Sequence, residues 1–166
     1  MKTTIKIFSL AIAIIGFSAT SFAQVHATAT ASGTIVTPIA ISKTVDMNFG
    51  NVAVSSSAGT VVLAAAGTRS ATGGVTLPAT SGTVAAAQFT VTGESGYTYS
   101  VTLPAFNTVK FGSNTMTVNT FVSNTTGKLT GGTEILKVGA TLNVGASQAA
   151  GTYISEAPFT VTVNYN

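Results

Sequence analysis

Between Leu136 and Val144 every second residue is apolar: Leu136, Val138, Ala140, Leu142 and Val144 alternate with Lys137, Gly139, Thr141 and Asn143. A period of two places the apolar set on one face of a pleated strand and the polar set on the other. The rhythm returns in Phe89 and Val91, in Tyr97, Tyr99, Val101 and Leu103, and in Phe159, Val161, Val163 and Tyr165. The intervening "GESG" predicts a hairpin joining the Phe89 run to the Tyr97 run. In "MNFGNVAV", Met47 and Phe49 are in phase and the pattern then shifts to Val52 and Val54, as a bulge at Gly50 would require. "IVTPIAI", "TVVLAAA" and "NTMTVNTFV" are further strand candidates, rich in the β-branched residues that suit a pleated surface. The alanine runs Ala64 to Ala66 and Ala85 to Ala87 are too short for helices and read as small residues in strands or close sheet contacts. These signals predict an all-β chain: a single antiparallel β-sandwich of about seven to nine strands, immunoglobulin-like or jelly-roll-like.

The N-terminus has the form of a secretory signal peptide. Lys2 and Lys6 precede an apolar run from Ile7 to Phe17, and Ser21-Phe22-Ala23 supplies a small-x-small cleavage site. The run gives way at Ser18 and Thr20, short of the roughly 20 residues a membrane helix needs. The expected organisation is a leader over 1–23, a flexible or donor-like tail over 24–33 and a sandwich domain over 34–166, with no membrane span in the mature chain. Export places the product in the periplasm, at the cell surface or outside the cell.

Charge excludes some functions. The chain carries a formal +3, but Lys2 and Lys6 belong to the leader and leave five bases against four acids. The five are scattered, whereas nucleic-acid binding calls for basic residues clustered on one face. Charged residues make up 7% of the chain against about 25% in an ordinary globular protein. With 45% apolar residues it nonetheless lacks the signature of disorder. There is no cysteine, so packing and ladder hydrogen bonds must hold the fold.

Catalytic chemistry has few residues to work with. His26 is the single histidine and lies in the expected tail, where no neighbour would hold it as a base. Asp46, Glu94, Glu134 and Glu156 fall in separate segments. A zinc site requires three or four His, Cys or acidic ligands. No cofactor, metal or catalytic residue is therefore expected. Tyr97, Tyr99, Phe106 and Phe111 offer an aromatic platform for glycans, but Tyr97 and Tyr99 share the phase of Val101 and are expected in the core.

The segments "MNFGNVAV", "AGTVVLAAAGTRSATGGV", "FTVTGESGYTYSVTLP" and "VGATLNVGASQAAGTYISEAPFTVTVNYN" resemble the domain of unknown function 4402 family, a group of exported bacterial proteins. The ending, with Tyr165 next to last, is also similar to spore coat protein U and to chaperone–usher fimbrial subunits. That likeness implies a sandwich completed by a strand donated from a neighbour. The chain departs from those subunits in having no disulfide and in placing Tyr153 about where they carry a glycine. Two answers follow for the last strand. Phe159, Val161, Val163 and Tyr165 close the protein's own sheet, or this strand or the N-terminal one bounds a sheet edge that accepts a strand from the next subunit. In the tail, Val25, Ala27, Ala29 and Ala31 keep the period but would bury little area. The expectation is a non-enzymatic structural or adhesive surface protein, a fimbria-like subunit that associates with itself or with related subunits. The alternative is a carbohydrate-binding module.

Overall fold

The computed structural model describes residues Ala23–Asn166, so the signal-peptide expectation lies, except for Ala23, outside the described residues. The chain divides into two units, Met1–Thr34 and Ile35–Asn166. In the first, the described residues form no strand. The second holds β1 (Ala40–Val45), β2 (Asn48–Phe49), β3 (Ala53–Leu63), β4 (Arg69–Thr76), β5 (Val84–Ala85), β6 (Ala87–Thr92), β7 (Tyr99–Thr102), β8 (Phe106–Phe111), β9 (Asn114–Ser123), β10 (Thr133–Val144), β11 (Ile154–Ser155) and β12 (Thr162–Tyr165). A single 3-10 turn, Thr130–Gly132, interrupts them. Nine strands have four or more residues and three have only two, and every ladder is antiparallel. The all-β sandwich read from the sequence is the fold observed.

The strand with the cleanest alternation organises the rest. Leu136, Val138, Ala140, Leu142 and Val144 of β10 are all buried. Along one edge β10 pairs first with β6, from Thr133 to Val138, and then with β3, from Ala140 to Val144. Its other edge pairs with β9. Leu136 and Val138 enter a core closed on the opposite side by Tyr99 of β7 and Val163 of β12. Ala140, Leu142 and Val144 enter a second core with Val61, Val75 and Val118. Met47 and Phe121 touch both. In the order β4-β3-β10-β9-β8, the two outermost strands send Val75 and Val109 into the same second core, so this sheet curls upon itself.

Gly139 sits where β10 exchanges one neighbour for the other. A Cβ there would stand 2.2 Å from the Leu63 carbonyl oxygen and 2.6 Å from the Ala64 carbonyl carbon. The end of β3 thus crosses β10 at a distance only glycine allows. On the opposite edge, β9 takes up one extra residue around Thr120, whose φ is 51°, as the register shifts between Gly139 and Thr141. A bulge of this kind increases local twist, which suits a sheet that curls upon itself.

Three local expectations are corrected. β6 and β7 do not form a hairpin: β6 pairs with β1 and β10, and β7 with β12. The "GESG" loop crosses between layers, and Phe89, Val91 and Tyr99 meet across the core from opposite sheets. At Gly50 the chain breaks into two strands instead of bulging, with β2 on β5 and β3 on β4. In "IVTPIAI" only Ala40 onward is strand. Pro38 has no N–H to give a ladder, and the Thr37 N–H is bonded to Glu94. Of the alanine runs, Ala85 and Ala87 lie in strands while Ala64 to Ala66 lead into the turn after β3.

Gly139→Ala is expected to destabilise the protein by about 1–3 kcal/mol, because the β3 backbone has to move. Urea unfolding measures this, and a loss no larger than an exposed strand substitution gives would contradict the crossing described.

Candidate strand-assembly site

The C-terminal strand is built into the sandwich by both its side chains and its backbone. Val161 and Val163 are buried, Phe159 and Tyr165 pack at the margin of the same core, and Thr160, Thr162 and Asn164 are exposed. β12 pairs with β7 from Thr162–Thr102 to Tyr165–Tyr99, and the Asn166 N–H extends the ladder to the Thr98 carbonyl at 3.2 Å. Of the two sequence readings, the strand closes its own two-stranded sheet. Its far edge has no ladder partner among the described residues.

The Tyr165 hydroxyl fastens this strand to two distant segments. It accepts the Glu94 N–H at 2.6 Å and donates to the Thr37 carbonyl at 2.8 Å. Glu94 returns the contact, its carboxylate accepting the Thr37 N–H at 2.9 Å. That bond holds the Glu94 carboxyl below its ordinary value of 4.5. Gly93 makes the approach possible, since a Cβ there would lie 2.2 Å from the Tyr165 oxygen. The Tyr97 ring lies against Tyr165 with centroids 5.5 Å apart. The start of the sandwich, the interlayer loop and the last strand thus meet at one phenol.

A second phenol does comparable work inside. Tyr99 is 2% exposed, donates to Glu134 at 2.6 Å and accepts from the Thr125 hydroxyl at 3.0 Å. Burial, reinforced by the bond to the Glu134 carboxylate, pushes its pKa up to about 12. Arg69 is used in the same local way. Its guanidinium donates to the carbonyls of Phe49 and Asn51 at 2.5 and 2.7 Å, tying the start of β4 to the turn after β2.

Other sequence candidates are dispersed. Val25, Ala27, Ala29 and Ala31 lie in the first unit, and none is in a strand. Tyr99 is withdrawn from any glycan platform by burial. Tyr97 is half-exposed instead of core, Phe111 packs on Tyr153 with centroids 5.8 Å apart, and Phe106 is 65% exposed. Asp46 pairs with Lys43 and Glu156 with Lys110, so with Glu94 and Glu134 each acid has its own partner.

The arrangement defines an all-β antiparallel sandwich whose last strand is locked in place by its penultimate tyrosine. The sequence profile of the family described as "Domain of unknown function (DUF4402)" matches residues 39–165, and the chain belongs to that family. No curated protein and no solved structure matches the chain with significance.

Tyr165→Phe leaves a backbone N–H and a carbonyl without their partner and is expected to cost about 1–2 kcal/mol. Faster hydrogen exchange at the Glu94 amide would locate the loss, and unchanged stability would contradict the latch.

The pH dependence has a sign at each end. Glu94 has a lowered folded pKa, so its contribution is complete above about pH 4.5 and lost as pH falls through the folded value. Tyr99 has a raised one, so its contribution is complete below pH 10 and lost as pH rises toward about 12. Urea midpoints across pH should fall more gently in acid for Glu94→Gln and more gently in alkali for Tyr99→Phe. Parallel curves for wild type and variants would refute both assignments.

Proposed function

We propose that the protein is a non-enzymatic structural or adhesive subunit, exported to the cell surface or beyond it, that associates with copies of itself by strand addition. The observation that carries this reading is the far edge of β12, which has no ladder partner among the described residues. From Thr160 to Tyr165 that edge holds no lysine, proline or acid, the residues that ordinarily block pairing with another chain. β1 is also paired on one side only, but it carries Lys43, ends in a register shift and is followed by Asp46. Residues 24–33 supply a segment of strand period, and main-chain hydrogen bonds can give affinity where its alanines give little apolar area. A carbohydrate-binding role has weaker support, because the four aromatic candidates are dispersed among separate contacts.

Size-exclusion chromatography with light scattering, together with electron micrographs, tests the reading. The protein is expected to form head-to-tail oligomers. Deleting residues 24–33, or placing a lysine on the edge as Thr162→Lys, should shift the population toward monomer. A strictly monomeric protein, unaffected by either change, would overturn it; binding on a glycan array would then favour the carbohydrate reading.

A further inference from the structure

The two alanine runs converge in space. Ala64 to Ala66 lead into a turn closed by bonds from the Ala64 N–H to the Thr68 carbonyl and from the Gly67 N–H to the Ala64 carbonyl, at 2.8 and 2.9 Å. Ala85 ends β5 and Ala87 opens β6. Because β10 passes from β6 to β3 between Val138 and Ala140, the two runs flank a cavity of about 160 Å³ beside that junction. Ala65, Ala66, Ala85 and Ala86 wall it, and Val45, Gly67, Gln88 and Lys137 complete the lining.

Gln88 and Lys137 are cross-strand partners, so their side chains emerge next to each other on the same face of the sheet. Lys43 and Lys110 each hold an acid, whereas Lys137 has no ion pair among the described residues. The Lys137 backbone is fixed against Asn124: its N–H donates to the Asn124 side-chain oxygen at 2.6 Å, and its carbonyl accepts the Asn124 N–H at 3.2 Å. Lys137 and Gln88 thus stand side by side at a small-walled recess with no acid in its lining.

We propose that this recess binds a carboxylate carried on a small uncharged body, the chemistry shared by an acidic sugar and the free C-terminus of a peptide. The ammonium and the amide NH₂ are the donors a carboxylate requires, and charge assistance strengthens such bonds. The volume is below the roughly 300 Å³ at which ligand pockets commonly begin, so one end of the ligand enters and the rest remains outside. This site is independent of strand addition.

The test is an NMR titration of the ¹⁵N-labelled protein with glucuronate, with N-acetyl-alanyl-alanine and, as the neutral control, with glucose. Saturable shifts are expected at the amides of Gly67, Ala86, Gln88 and Lys137 with one or both acids and not with glucose; which acid binds identifies the source. Lys137→Gln removes the charge, and Ala66→Leu fills the recess from an exposed position. Each is expected to weaken binding about tenfold or more while leaving distant resonances in place. Absence of saturable shifts with both acids, equal shifts with glucose, or full binding by Lys137→Gln would overturn the proposal.

Discussion

The fold depends on a single twelve-residue strand that serves two cores. β10 sends Leu136 and Val138 into one cluster and Ala140, Leu142 and Val144 into the other, and along one edge it is shared between β6 and β3. Burying a valine or leucine side chain is worth about 1.5–3 kcal/mol. With no cysteine in the chain, apolar burial and the ladders that align it are the principal restraints. Gly139 is the geometric condition for this sharing, because a side chain there would separate β10 from the end of β3.

Charged groups are few, and three of the nine among the described residues bond backbone or phenol groups. Arg69 binds carbonyls, Glu94 an amide, and Glu134 both the Tyr99 hydroxyl and the Thr126 N–H. The two exposed ion pairs, Lys43–Asp46 and Lys110–Glu156, belong to a class worth about 0–1 kcal/mol. The polar bonds that shape the molecule therefore tie loops to strands. Tyr165 is the clearest case, since it joins the entry to β1, the loop after β6 and the final strand. Lys128 and Lys137 have no ion pair among the described residues, and of the two Lys137 lies beside a recess with no acid in its lining.

The strand faces were legible in the sequence because alternation is local: the period of β10 and of residues 159–165 can be read without knowing any partner. Alternation reports which way side chains point, not which strand lies alongside. Phe89, Val91 and Tyr99 share a core, as their period implied, yet they belong to different sheets. The latch was illegible for a related reason. Thr37 and Tyr165 are 128 residues apart, and nothing in a penultimate tyrosine says which carbonyl its hydroxyl will reach. The Asn-Phe-Gly and Arg69 segments looked like separate motifs, but the guanidinium makes them one unit. Likewise, the alanine runs acquire a meaning only once β10 brings them to one junction.

The two layers are unequal in extent. One is an eight-stranded sheet, while β7 and β12 form a two-stranded layer of a size that is marginal in water on its own. β12 is therefore held by its packing against β10 and by Tyr165, and its outer edge has no ladder partner among the described residues. Native-state amide hydrogen exchange tests this dependence on β10 most directly, since it resolves local from global opening. The amides from Leu136 to Val144 should be the slowest in the protein and exchange only through global unfolding, with those of β12 opening at lower free energy. If the β10 amides instead exchange by local opening as readily as those of β12, the strand is not the common support of the two cores.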